Sequence, residues 1–559
     1  MALPVNTRVK RDRVAPWLFE PSGSSSVFTP ESLSEEHRLI RQTADEFMEN
    51  EVLPANPRLE QKDWGCAREL LVKSAELGLL GTDVPEEYGG LAMDKVSSLI
   101  VGEAVGRLAS FATIFGAQTG LSITPLLCFA TPEQKEKYLP RMVAGVLLGA
   151  YALSESGSGS DALGAKARAT RQADGSFLLS GEKMWITSGG FADVFTVFAK
   201  VDGEAFTAFI VERAFPGVAT GREEHKLGLH GSSTTPLILQ DAHVPAENVL
   251  GEIGKGHKVA FNVLNYGRFK LGAMCSGGAR FIIGEAARYA SQRRQFGRPI
   301  ADFGAIRFKL AEMIVRQYAT ESMLYRIAGL LDGSMAGRHD GEALLSALEE
   351  FAIEASIVKV AASETLDYVV DENVQIHGGN GFVRDYDAER HYRDARVNRI
   401  FEGTNEINRL LIPGMLIKRA GGRFTDDGRP GDDSLEAMKK AARLVLSTAE
   451  EKFGDKLGEQ QFVLLPAADI LIDVFAADSV LARAKGNLHE AAATLFVNDA
   501  ADRVEVAART ALAAMLDGSE LDSAVRTVRG MFNHRPVQAA HLRDELAAAA
   551  LALGHYPFA

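Results

Sequence analysis

The chain of 559 residues is long enough for several domains with large cores, and 46% hydrophobic against 24% charged residues is the balance of an ordinary globular protein. A formal net charge of −13 argues against nucleic acid as the main partner, because phosphate binding asks for a basic surface. Cys66, Cys128 and Cys275 are widely scattered, with neither CxxC spacing nor a disulfide framework, and read as core or surface thiols in a reducing compartment.

No run of about 18 or more apolar residues appears, so no membrane span is expected. The N-terminus MALPVNTRVKRDRVAPWLF is basic but lacks the apolar core of a secretory signal, and Asp12 among its bases disfavours a transit peptide. With the flexible-looking PSGSSSVF it makes residues 1–30 a lead-in. Thr29-Pro30-Glu31 then places a capping residue before a proline, and SLSEEHRLIRQTADEFMENEVL keeps helical spacing until Pro54. Thr131 and Gln134 have capping-box spacing, and 66–81 and 92–127 also read as helices, so 31–149 is a helical domain. Within it, FATIFGAQTGLSI at 111–123 mixes large apolar residues with Gly116, Gly120 and Ser122; tight packing is expected over open space.

After residue 150 the pattern changes to strands. RATRQADGSFLLSGEK forms a hairpin around Asp174-Gly175, VFTVFAKV and FTAFIVER add β-branched and aromatic runs, and 150–256 is a β-domain. Gly157-Ser158-Gly159-Ser160-Asp161-Ala162 formally matches GxGxx(G/A), but a hairpin follows where a nicotinamide fingerprint needs a helix, so a Rossmann domain is rejected. Residues 257–420 return to helix in a bundle (257–293, 302–333, 342–376), with a loop at 334–342. The Gly- and Asp-rich 421–434 is a linker, and the Ala- and Leu-rich 435–559 an additional C-terminal helical domain with Pro466 in FVLLPAADILIDVF. The expected fold class is mainly α with a central, β-barrel-like domain.

The stretch RVNRIFEGTNEINRLL at 396–411 sets Glu402 on a turn between apolar segments, just before a helix capped by Thr404 or Asn405, with Gly403 allowing close approach of a ligand. Alone it reads as a solvated loop glutamate. In company it does not: IFEGTNEINR resembles the segment of acyl-CoA dehydrogenases whose glutamate removes the α-proton of a fatty acyl-CoA thioester. YALSESGSGSD at 151–161, KMWITSGG at 183–190, NYGRF at 265–269, SQRRQFG at 291–297 and QIHGGNGF at 375–382 follow in that family's order, covering 31–420. The tail resembles the extra C-terminal domain of the very-long-chain branch.

The resemblance implies FAD as cofactor, no metal, and oxidation of long or very long acyl-CoA to trans-2-enoyl-CoA in fatty acid β-oxidation, with electrons passing to an electron-transfer flavoprotein. Glu402 is then the base, and its own amide, with a flavin ribityl hydroxyl, polarises the thioester carbonyl. A helix N-terminus lowers the basicity of Glu402, burial under an acyl chain raises it, and desolvation on ligand binding is expected to win. Ser160, Asn265, Arg268, Phe401 and Gly403 are implied at the substrate; the other reading of Arg268 is an interdomain salt bridge. Two branches carry the base where this chain has Gly267, which cannot serve. Tyr151, Leu153, Ser154, Gly159 and Ser160 are implied along the flavin, with Trp185, Ile186 and Thr187 over its ring and Thr404 and Glu406 nearby. Arg293, Phe296, Gln375, Ile376, Gly378 and Gly379 resemble residues donated by a second subunit, which implies a homodimer. Ser122 is set where a glutamate blocks the pocket of a medium-chain relative, which implies a deeper pocket here. Two readings stand beside this one: a respiratory-complex assembly or scaffolding protein, and an oxidase of the same fold. The implied location is the cytoplasm of a bacterium or the mitochondrion of a eukaryote, with FVLLPAADILIDVF as a candidate peripheral membrane contact or, ordinarily, a bundle helix.

Overall fold

The computed structural model describes residues 14–21, 27–422, 424, 433–533 and 535–558. Most of the lead-in and of the 421–434 linker therefore lies outside the described residues.

The short α1 (Pro16–Phe19) of the lead-in packs Trp17 on Phe475 of the C-terminal region, and the N-terminal domain comprises α2 (Glu35–Phe47), α3 (Leu53–Glu60), α4 (Trp64–Glu76), α5 (Lys95–Val105), α6 (Ala109–Gly116), α7 (Thr124–Phe129) and α8 (Pro132–Val143). Two expectations need correction. Pro30–Ser32 is a single 3-10 turn, and the cap of α2 is Ser34, whose hydroxyl accepts from His37 N while Ser34 N donates to His37 Nδ1, each at 3.2 Å. Nor does helix stop at Pro54: a π-helical turn, Met48–Val52, places that proline in the first turn of α3, where its missing N–H costs nothing. The expected capping box at Thr131 and Gln134 is present. The span Ala109–Phe129 is long and apolar enough to cross a membrane and is mostly buried inside the protein; Thr, Gln, Gly and Ser interrupt the run in the sequence.

The middle domain is one eight-stranded sheet in the order β6-β7-β3-β2-β4-β5-β8, with β1 beside β4. The strands are β1 (Gly149–Ala152), β2 (Arg168–Arg171), β3 (Phe177–Thr187), β4 (Val194–Val201), β5 (Ala205–Glu212), β6 (Val218–Thr220), β7 (Thr234–Val244) and β8 (Val249–Leu250). β2 and β3 are the hairpin around Asp174-Gly175, pairing Arg171 with Phe177. The sheet has its own core around Phe177, Phe195, Phe209 and Val211.

The bundle follows: α9 (Gly256–Gln292), a small hairpin of β9 (Arg294–Gln295) and β10 (Arg298–Pro299), α10 (Gly304–Met335), α11 (Gly341–Glu350), α12 (Ala352–His377), α13 (Ala388–Ala395) and α14 (Asn405–Ala420). The C-terminal helices are α15 (Ser434–Phe453), α16 (Gln461–Arg483), α17 (Asn487–Ala513), α18 (Gly518–Met531) and α19 (Ala539–Leu553). In α16, Val463, Leu464, Ile470, Leu471 and Val474 are buried, which turns most of FVLLPAADILIDVF inward, while Phe462 is exposed. Arg483, fully buried, reaches Glu321 of α10 at 2.7 Å and Glu31 at 2.8 Å, locking these helices to the bundle and the N-terminal domain.

Candidate active site

Thr404, not Asn405, caps α14, its hydroxyl accepting from Ile407 N at 3.3 Å. Before it the backbone turns through two left-handed residues, Glu402 at φ +57° and Gly403 at φ +79°. A glutamate seldom adopts this conformation unless its surroundings impose it, and such strain concentrates at functional sites. Here the surroundings are donors from three helices. Arg268 Nε of α9 donates to the Glu402 carbonyl at 3.2 Å, Asn408 Nδ2 of α14 to the Gly403 carbonyl at 2.8 Å, and Lys359 Nζ of α12 to that same carbonyl at 2.8 Å.

With its carbonyl bound, Glu402 presents two other groups. Its Oε2 is sealed from solvent and has no hydrogen-bond partner. Its amide N–H donates to no acceptor among the described residues. Burial pushes the carboxyl up to about 7, against the pull of the Arg268 and Lys359 cations. Burial of the carboxyl thus outweighs the two cations beside it.

Arg268 and Asn265 lie one turn apart on α9 and bond to each other, Arg268 Nη1 to Asn265 Oδ1 at 2.8 Å. Burial lowers the guanidinium to about 10 while the Glu402 charge opposes the fall. Arg268 supports the Glu402 turn; among the described residues it makes no interdomain salt bridge. Gly267, between them, faces the carboxylate directly.

From Glu402, Phe401 and Gly267 a cavity of about 90 Å³ runs between α6 and α9. Small residues, Gly106, Ala109, Ala112, Gly116 and Ala117, form one wall, and Leu271 and Met274 another. Of Gly116, Gly120 and Ser122 in 111–123, only Gly116 lines this cavity, and even there a Cβ would meet Met274 Cε at 2.7 Å, so the expected close packing largely holds. Ser122 is corrected: it does not line the cavity but packs on Gly149, its hydroxyl on the Ala117 carbonyl at 2.8 Å. The cause is the π-helical segment Ala117–Ile123, whose wider turn changes which side chains face inward and puts Ala117 on the wall.

The residues expected at the flavin fall into two groups. Tyr151 of β1 and Thr187 at the end of β3 meet the Glu402 pocket: the Glu402 charge adds to the burial that raises the Tyr151 hydroxyl, and Thr187 lines the cavity. Leu153 and Ser154 continue from β1, and Met184 N donates to the Ser154 carbonyl at 2.9 Å, joining the two flavin segments. Ile186 is buried, whereas Trp185, at φ +58°, leaves 58% of its surface uncovered; Gly159, Ser160 and Glu406 are exposed as well. A buried pair absent from the sequence reading links the same two segments: Lys183 Nζ reaches Glu155 Oε1 at 2.7 Å and the Leu153 carbonyl at 3.3 Å.

The second group lies elsewhere. Arg293 ends α9, roughly 37 Å from Arg268 at the 1.5 Å rise of an α-helix. It leads into the β9–β10 hairpin, whose tip Phe296 is 92% exposed. Gln375, Gly378 and Gly379 are exposed at the far end of α12, with Ile376 buried behind them.

Residues 34–146, 150–242 and 254–416 match the N-terminal, middle and C-terminal domains of acyl-CoA dehydrogenase, and 437–530 matches a further acyl-CoA dehydrogenase C-terminal domain. The chain belongs to the acyl-CoA dehydrogenase family. It is 43% identical to a probable acyl-CoA dehydrogenase of Bacillus subtilis, covering 95% of this chain and 96% of that one. To the human mitochondrial very long-chain specific acyl-CoA dehydrogenase it is 36% identical, covering 74% of this chain and 69% of that one. A Bacillus anthracis acyl-CoA dehydrogenase solved with FAD superposes with a TM-score of 0.93 at 42% identity, covering 97% of this chain and 99% of that one. This protein is accordingly an FAD-dependent oxidoreductase. Its residues fit the cofactor: the bare Trp185 face offers a ring a stacking surface, and the open space at Gly157 and Gly159 lets a phosphate approach the backbone.

Proposed function

We propose that this acyl-CoA dehydrogenase oxidises long or very long acyl-CoA thioesters to trans-2-enoyl-CoA, with Glu402 as the base, and passes electrons to an electron-transfer flavoprotein. The observation that carries it is the partnerless, solvent-sealed Oε2 of Glu402 at the end of a cavity walled by glycine and alanine. A carboxyl near 7 is matched to accepting a proton at neutral pH. The unpaired Glu402 N–H, whose nitrogen is bonded to the Cα that carries the carboxylate side chain, suits a thioester carbonyl on which negative charge develops as the α-proton leaves. Asn265 and Arg268 hold the turn that presents both groups, and Phe401 and Gly403 border the thioester.

FAD supplies the two-electron acceptor for the β-hydride that no protein side chain can take. Trp185, Thr187 and the 151–160 segment would hold its ring system, and Thr404 and Glu406 border it. Because Arg293 and Phe296 sit too far along α9 to serve their own subunit's pocket, they are assigned, with Gln375, Ile376, Gly378 and Gly379, to the cofactor of a second copy, which makes a homodimer the working assembly.

The test is anaerobic flavin bleaching by a series of acyl-CoAs from about four to twenty carbons, with the product identified by mass. Fast bleaching by long chains with release of 2-enoyl-CoA supports the assignment; bleaching by short chains alone would restrict it to the family activity, and no bleaching at any length would favour a scaffolding role.

A further inference from the structure

Lys359 belongs to no sequence motif, yet it is fully buried in the middle of α12 among Ile357, Val358 and Val360. A buried ammonium is expensive unless specific acceptors repay its lost hydration. Both acceptors of Lys359 lie in the catalytic turn: the Gly403 carbonyl at 2.8 Å and Asn405 Oδ1 at 2.6 Å. Asn405 is oriented for this, since its Nδ2 donates to Ser363 Oγ at 3.1 Å and Glu364 Oε1 at 3.0 Å, leaving the amide oxygen turned to the lysine.

We propose that Lys359 is a positioning residue for the dehydrogenation: its ammonium clamps Gly403 to Asn405, so that the left-handed Glu402 cannot relax and keeps its carboxylate and its amide N–H on the cavity side. The inference rests on Glu402 being the base. The cations facing Glu402 are Arg268 from α9 and Lys359 from α12, with the Tyr151 hydroxyl facing it from β1; around Lys359 stand Cys275, Glu402, Arg268 and Glu364. Both cations favour the ionised carboxylate, Arg268 the more strongly, and burial lowers Lys359 itself to about 8, so its charge acts on the pH dependence of the base below about pH 8.

The experiment uses FAD-loaded full-length protein and a 3-thia-acyl-CoA of long chain, whose sulfur at the β-position prevents oxidation. Exchange of its α-protons in heavy water, followed by NMR between about pH 5.5 and 9, reports the base alone. Lys359→Met is expected to slow exchange about tenfold or more and to move its pH midpoint up by about one unit, the size expected from loss of a neighbouring opposite charge. Asn405→Ala, which keeps the ammonium, is expected to slow exchange without moving the midpoint. A Lys359→Met midpoint and rate equal to wild type would overturn the proposal, as would a wild-type rate in Asn405→Ala should the lysine variant fail to fold. Failure of the underlying assignment looks different: Glu402→Gln would then exchange as fast as wild type.

Discussion

A Cβ at Gly267 would lie 2.5 Å from Glu402 Oε2 and 2.9 Å from its carboxyl carbon. The α9 backbone and the carboxylate thus share one point in space. Gly267→Ala must push the carboxylate aside, and acyl-CoA-dependent bleaching is expected to fall by about tenfold or more, since misplacement of the base by about 1 Å costs that much. The same closeness means a carboxylate rooted at 267 reaches the same α-proton. The double variant Gly267→Glu/Glu402→Gly is therefore expected to recover measurable bleaching over Glu402→Gly alone, in a stopped-flow comparison of the two.

Ala117 stands on the cavity wall. Ala117→Glu adds a bulky carboxylate to that largely apolar wall, where the lining cation, Lys270, already donates to Ser98, and burying a poorly paired charge costs several kcal/mol. Rates with chains of about sixteen carbons should collapse while those with about eight or fewer survive. Ser122→Glu, directed against Gly149 rather than the cavity, should destabilise the protein without that selective shift.

The raised carboxyl of Glu402 gives the pH dependence a sign. Below about 7 it is protonated and cannot accept a proton, so the bleaching rate should fall about tenfold per pH unit on the acid side. A folded value above the unfolded one also means a stability contribution present at acid pH and lost as pH rises through about 7. Glu402→Gln should accordingly melt higher than wild type at pH 8, with the gap closing near pH 5; calorimetry across that range measures both limits.

If the cofactor site is shared between copies, a mixed dimer decides it. Glu402→Gln and Arg293→Glu chains, each inactive as homodimers, should regain about half a dimer's activity when co-expressed, because one site then holds both lesions and the other neither. Absence of recovery would place Arg293 and Glu402 in the service of one chain's site.

The Glu402 turn, with its glycine and cap in the five adjacent positions Phe401 to Asn405, became legible only in company with the ordered motifs elsewhere in the chain; alone it reads as a solvated loop. The β-domain hairpin was legible locally, Asp174-Gly175 fixing the pairing of Arg171 with Phe177. What was hidden is non-local. Nothing in the sequence marks the roles of Lys359 and Lys183, since only the fold brings the first to Gly403 and the second to Glu155. The π-helical turns at Met48–Val52 and Ala117–Ile123 leave no mark in a pattern counted at 3.6 residues per turn. The first displaced the expectation at Pro54; that at Ser122 rested on the match to a relative's pocket residue instead.

The most direct measurement is anaerobic reduction of the bound flavin by palmitoyl-CoA in wild type and Glu402→Gln, side by side. Rapid bleaching of the wild type, with a variant that retains its flavin and binds the thioester but bleaches at least about a thousandfold more slowly, is the outcome expected if Glu402 is the base. A variant that bleaches at the wild-type rate would contradict that assignment.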